Sequence, residues 1–231
     1  MGLKEDLVSE VKQTFKDQWD VQKATDVPDP EDLRLNTNHA KDLEGATVLY
    51  ADIDGSTKMV DKCTWSFSAE VYKAYLRCAA QIIRNERGAI TAYDGDRVMA
   101  VFTGGLKNTN AVRAALKVNY AVEEIIRPAI RNQYSTTDFQ LKHVIGIDSS
   151  QLRAARIGVH GDNDLVWIGH AANYAAKLCT LSDKPIWITR AIYSNMNDEV
   201  KFSKGVDMWT SYKWNPMNEM EIFATTYRWS F

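Results

Sequence analysis

The sequence predicts an α+β fold, a ferredoxin-like βαββαβ core with additions. Three observations predict it. The β-branched, apolar run Thr47-Val48-Leu49-Tyr50-Ala51 ends in Asp52-Ile53-Asp54-Gly55-Ser56-Thr57 and reads as a strand buried on both faces. Strands at residues 89–93 and 97–102 flank an Asp94-Gly95 hairpin signal. Helix-period stretches at 68–87 and 110–126 separate these strands from one another and from a further strand at 139–147, which gives the order strand, helix, strand, strand, helix, strand.

Taken in order, Leu3, Leu7, Val8, Val11, Phe15 and Trp19 fall on one side of an N-terminal helix with charged residues opposite. Such a stripe is expected to pack on the main domain or on a partner subunit. Its polar face mixes both charge signs, which disfavours a membrane-surface helix. Val27-Pro28-Asp29-Pro30-Glu31-Asp32 breaks the periodicity and residues 33–44 are polar. Residues 1–44 therefore read as helix plus linker, and residues 45–231 as the main domain. In the first core helix Val71, Tyr75, Ala79, Ile82 and Ile83 turn inward, and Gly88 is the C-terminal stop. Pro128 is expected to bend or end the second helix. A short strand at 154–160 follows the strand at 139–147, and Asp162-Asn163-Asp164 reads as a turn into 165–168. Gly169 leads into a helix at 171–181, with strands at 186–189 and 221–227 closing the chain.

Composition narrows the function classes. Lys+Arg 28 against Asp+Glu 30 leaves the chain near neutral, without the basic face a general nucleic-acid binder needs. No apolar run approaches the ~18 residues of a membrane span, and the charged N-terminus lacks a secretory h-region. Cys63, Cys78 and Cys179 are isolated and odd in number, and read as buried thiols of a reducing cytoplasm.

Three constellations are candidates for chemistry. Along the first strand Val48, Tyr50 and Asp52 share a face, so a cation at Asp52 would have a phenol about 7 Å away. Asp96, in the Asp94-Gly95-Asp96 turn, supplies a second carboxylate. Two carboxylates suffice for Mg²⁺ or Mn²⁺ when phosphate oxygens and water complete the coordination. The acidic strand end also abuts a helix start whose free N–H groups suit phosphate. Asn173 and Lys177, four residues apart on the 171–181 helix, place an amide and a cation on one face, an arrangement suited to a polyanionic transition state.

Together, Tyr-Ala-Asp-Ile-Asp-Gly-Ser-Thr, Asp-Gly-Asp-Arg-Val-Met-Ala-Val-Phe and Gly-His-Ala-Ala-Asn-Tyr-Ala-Ala-Lys, in that order, resemble the class III nucleotidyl cyclase domain over residues 45–181. The resemblance implies two divalent metal ions, Mn²⁺ or Mg²⁺, on Asp52, Asp96 and the Ile53 carbonyl. It further implies phosphate binding by Asp54, Gly55, Ser56 and Thr57, ribose orientation by Asn173, and stabilisation of the transferring phosphate at Lys177. The family's residue at that last position is Arg; Lys keeps the charge but loses the bidentate fork. Homodimers with shared active sites are likewise implied.

The departures leave two explanations, that a different base is read or that no base is read. Adenylyl cyclases carry Lys and guanylyl cyclases Glu where this chain has Ala92, and the second purine-reading position is Val166. An apolar wall leaves a purine edge unpaired, at ~1–3 kcal/mol per group. Tyr50 and Arg97 add a hydroxyl and a cation to the same region. A branch with such a pocket is the pyrimidine cyclases of the Pycsar antiviral system, short cytoplasmic enzymes whose cyclic product activates a separate effector protein. The resemblance implies UTP as substrate, with CTP next. A non-catalytic cyclase fold that binds nucleotide or a partner is the alternative from another class.

Overall fold

The computed structural model describes residues 2–231, with the side chains of Asp162 and Asn163 outside the description. The elements are α1 (Leu3–Lys16), β1 (Asp20–Lys23), β2 (His39–Asp42), β3 (Ala46–Asp54), α2 (Ser56–Lys62), α3 (Trp65–Asn85), β4 (Ala89–Asp94), β5 (Arg97–Phe102) and α4 (Lys107–Ala121). They continue with a π-helical turn (Val122–Ile126), α5 (Arg127–Gln133), β6 (Lys142–Ser150), β7 (Arg153–Val159), β8 (Asp162–Ile168), α6 (His170–Leu178), β9 (Ile186–Thr189) and α7 (Arg190–Asn195). The tail adds β10 (Phe202–Ser203), β11 (Val206–Asp207), β12 (Thr210–Trp214) and β13 (Met220–Thr225).

The main sheet has the order β12-β13-β9-β6-β3-β5-β4. Its β6-β3-β5-β4 portion is the expected βαββαβ core, with β3 at the centre and antiparallel to both neighbours. β3 sorts its side chains as a strand covered on both faces must. Leu49, Ala51 and Ile53 enter the large cluster under α3 and α4, whereas Ala46, Val48 and Tyr50 meet α6 and Met99 on the other side. A second sheet, β1-β2-β7-β8, flanks the core.

Several boundaries differ from the sequence reading. The polar 33–44 stretch, expected as linker, contains β2, which runs parallel to β1 and antiparallel to β7 and buries His39, Ala40 and Asp42. Neighbouring strands on both sides, rather than its own periodicity, make it a strand. The apolar stripe of α1 is not covered by the described residues of its own chain: Leu3, Leu7, Val8, Val11, Phe15 and Trp19 are all exposed. The helix is tied down only at its end, where Asn38 Nδ2 donates to the carbonyls of Thr14 (2.9 Å) and Asp17 (2.7 Å). Pro128 does not end the second helix. Its missing N–H and its ring are accommodated by the π turn just before it, and α5 continues to Gln133. The turn into β8 is His160-Gly161, two residues earlier than expected.

Candidate active site

Asp52 lies on the α6 side of β3, opposite Val144 of β6, and Asp96 sits in the turn between β4 and β5. The two carboxylates repel one another. Burial first and Asp96 second push the Asp52 carboxyl up to about 6, against the Arg97 guanidinium and the Ile53 N–H, which favour the charged form. The Oδ2 of Asp96 is buried and has no hydrogen-bond partner among the described residues. An oxygen in that state, facing a second carboxylate, fits a hard cation, which would satisfy both anions at once. Among the described residues no group of three or more His, Cys, Asp or Glu side chains gathers in a metal-binding cluster, so the chain offers this site two carboxylates.

Arg97 follows Asp96 and turns back over the sheet. Its guanidinium lies 5.1 Å from the centroid of the Tyr50 ring, and Nη2 donates to Asp94 Oδ2 at 2.9 Å. Its Nε is buried without a hydrogen-bond partner among the described residues. Ala92 and Tyr50 pack on one apolar cluster with Trp167, and a bulge between Ile90 and Ala92 shifts the β4–β5 register there. Tyr50, Ala92 and Arg97 thus form an apolar wall with one cation beside the carboxylate pair. Val166 does not join them: it is half-buried on β8, next in sequence to Trp167.

β3 ends in Asp54, half-buried opposite Lys142, and Gly55 takes a left-handed conformation (φ 76°) that turns the chain into α2 at Ser56. The expected phosphate segment, Asp54 to Thr57, therefore adjoins Asp52. Asn173 and Lys177 stand apart from it. α6 lays Ala171, Ala172, Ala175 and Leu178 inward, which leaves Asn173 and Lys177 exposed on its outer side. Lys177 Nζ approaches Met217 Sδ at 3.8 Å.

Three residues that support the site went unassigned in the sequence. Gly146 of β6 lets α6 touch the sheet: a Cβ there would stand 2.1 Å from the Ala175 carbonyl oxygen. A glycine inside the apolar run Val144-Ile145-Gly146-Ile147 is the signal that marks such an approach. The Cys179 thiol, with its pKa pushed up to about 12 chiefly by burial, donates to the carbonyls of Tyr50 (3.5 Å) and Val144 (3.7 Å). Tyr75, fully buried on α3, donates its hydroxyl to the Asp52 carbonyl at 3.3 Å. Its inward position was legible from periodicity; its bond to the strand was not.

No protein-family model matches the chain. Among curated proteins it is similar to a uridylate cyclase of Burkholderia cepacia, 59% identical over 230 residues and 100% of both chains. It is 48% identical to a uridylate cyclase of Xanthomonas perforans over 99% of both chains. A uridylate cyclase of a Rhodovulum species is 31% identical over 98% of this chain and 97% of its own. Among solved structures, the adenylyl cyclase CyaB from P. aeruginosa superposes with a TM-score of 0.68 at 20% identity, over 80% of this chain and 95% of its own. The guanylyl cyclase Cya2 gives 0.66 at 16% identity, over 80% and 93%. At these identities the solved structures establish the fold.

Proposed function

The chain belongs to the uridylate cyclases, at 59%, 48% and 31% identity to three of them over nearly its whole length, and on that premise we propose that it converts UTP to 3′,5′-cyclic UMP and pyrophosphate. The observation that carries the assignment to a place is the Asp52–Asp96 pair, two repelling carboxylates beside an apolar wall with one cation. In the reaction the ribose 3′-oxygen bonds to the α-phosphorus, the bond to the β-phosphate oxygen breaks, and the hydroxyl proton leaves.

Asp52, Asp96 and the Ile53 carbonyl would hold two divalent cations, Mn²⁺ or Mg²⁺. When bound, such ions acidify the attacking hydroxyl and neutralise the triphosphate. Asp54 to Thr57, at the left-handed turn of Gly55, would receive the β- and γ-phosphates through backbone N–H groups. Asn173 would fix the ribose, and Lys177 would oppose the charge that develops on the α-phosphate. Tyr50 and Arg97 would face the pyrimidine, with the guanidinium available to a ring carbonyl, while Ala92 and Val166 offer a purine edge no partner.

We further assign the working unit as a homodimer with shared sites, because Asn173 and Lys177 point outward from α6, whose inner face packs on the Ala46, Val48 and Tyr50 side of β3. Residues 45–231 form its catalytic domain, with β2 paired to β7 and β1 to β2. Among the described residues no helix is long and apolar enough to cross a membrane. The reading extends, on the resemblance alone, to a cytoplasmic enzyme whose product acts on a separate effector in defence against phage.

The test is to incubate the purified chain with each of the four ribonucleoside triphosphates and Mn²⁺ and to identify products by mass spectrometry. Cyclic UMP from UTP is expected. Cyclic CMP alone would correct the base, a purine product would refute the role of Ala92 and Val166, and no cyclic product would overturn the enzymatic reading.

A further inference from the structure

A polar cavity of about 380 Å³ opens where the start of β6 meets the end of α4, the π turn, the loop before β9 and the segment after β13. His143 of β6 lines it, 5% exposed, with neither ring nitrogen hydrogen-bonded among the described residues. Asn119 lines it too. Its amide nitrogen is fixed by donating to the carbonyls of Thr226 (3.2 Å) and Tyr227 (2.9 Å), which leaves Oδ1 buried without a partner among the described residues. Burial, aided by Arg127, lowers the His143 pKa to about 3, so the ring is neutral and presents one N–H and one lone pair. Buried groups left in this state call for a partner.

The walls indicate which partner. Arg127, Lys142, Lys184 and Arg228 line the cavity against Glu123 and Asp183. Arg127 pairs with Glu123 and Arg228 with Glu124, while neither Lys142 nor Lys184 has an ion-pair partner among the described residues. Two free ammonium groups and two guanidinium groups around neutral hydrogen-bonding atoms suit a phosphate group carried by a small polar molecule.

This is not the face that carries the carboxylate pair. His143 alternates with Val144, and its neighbours Ile145 and Ile147 pack under α3 and α4, on the far side of the sheet from α6. The two faces are nevertheless linked by a short path. His143 is the register partner of Ile53, and its ring lies 6.0 Å from that of Tyr75, whose hydroxyl bonds the Asp52 carbonyl.

We propose that this cavity is a regulatory site for a phosphorylated small molecule, whose occupancy reaches the carboxylate pair through His143 and Tyr75. Two sources supply such a group, the pyrophosphate the reaction releases and a nucleoside monophosphate. The link to turnover rests on the active-site reading above; the binding does not.

The full-length Asp52→Ala chain, in EDTA so that no metal-dependent binding contributes, is titrated calorimetrically with pyrophosphate and, separately, with UMP. One of the two is expected to saturate at about one molecule per chain, and Lys184→Glu and Arg228→Gln should each weaken it by about tenfold or more. Saturation by pyrophosphate would identify product sensing, and saturation by UMP nucleotide sensing. In the otherwise native enzyme the same molecule should change the rate of cyclic UMP formation, and Lys184→Glu should remove that response while leaving the rate without effector unchanged. Absence of saturation by either probe, or unchanged affinity in both variants, would overturn the site. A native chain that forms no cyclic UMP even without effector, while binding is intact, would count against the active-site reading instead.

Discussion

Replacing Asp52 by Asn should make the metal-free protein more stable while abolishing its reaction. In the native state the Asp52 carboxyl titrates near 6 rather than at its ordinary 3.8, because burial and, next, Asp96 disfavour its charge. The folded chain therefore holds a proton that the unfolded chain releases. Metal-free stability must then fall as pH rises through the window from about 4 to about 6, with the full penalty present above it. At about 1.36 kcal/mol per pH unit the gap corresponds to ~3 kcal/mol, and solvent screening at this partly exposed group reduces it to ~1–2 kcal/mol. For a chain of this size that is a rise of about 2–8 °C in Tm for Asp52→Asn at about pH 7.5 in EDTA. Mn²⁺ should reverse the order. At about a hundred times its Kd it adds ~2.7 kcal/mol to the wild type, and to Asp52→Asn far less. Thermal unfolding of both proteins across pH, in EDTA and in Mn²⁺, checks this. A variant less stable than wild type in EDTA, or one stabilised equally by Mn²⁺, would refute the argument that the two carboxylates form a cation site.

Two further outcomes follow from the geometry. Gly146→Ala should force α6 off β6 by about 1 Å, lowering stability by ~1–3 kcal/mol and kcat/KM by ~10²-fold, whereas Gly105→Ala, with nothing within 4 Å of the added Cβ, should change neither; equal behaviour of the two variants would be the contrary result. Mixing Asp52→Ala chains with Lys177→Ala chains should restore cyclic UMP formation that neither shows alone, and verified heterodimers without recovery would exclude shared sites.

The core was legible where local pattern and tertiary environment agree. β3, β5 and β9 are short apolar runs buried on both faces, and their sequences say so without help from neighbours. β2 is the opposite case. His39-Ala40-Lys41-Asp42 has no strand periodicity, and its burial comes from β1 and β7, which lie far from each other in sequence. The π turn was hidden for a related reason. Pro128 announces a local conflict in a helix, but whether the helix stops or widens depends on what packs beside it, here Val122, Ile126 and Ile130 in the main cluster. At the site, the strand order of the expected fold indicated that Asp52 and Asp96 could converge. It did not reveal the guanidinium of Arg97 over Tyr50, or the bonds of Tyr75 and Cys179 to strand carbonyls, because each depends on an approach between distant segments.

The same geometry divides the candidate residues into two groups, and the division is itself an argument about assembly. Tyr50, Asp52, Ala92, Asp96 and Arg97 belong to β3, β4, β5 and the turn between the last two, and they surround one patch of the sheet. Val166, Asn173 and Lys177 follow in β8 and α6, and none faces that patch. Trp167 turns into the cluster that holds Tyr50 and Ala92, so strand alternation sends Val166 to the other side of β8. The inward alanines of α6 do the same to Asn173 and Lys177. Reversing these faces within one chain would expose Trp167 and the Ala171, Ala172 and Ala175 surface while burying a lysine and an amide against Gly146, where there is no room for even one methyl group. A second chain needs no such rearrangement. Docked with its outer α6 face over the Asp52 patch, it would bring an amide, a cation and an apolar wall to the carboxylates, and twofold symmetry would build the same site again on its own sheet.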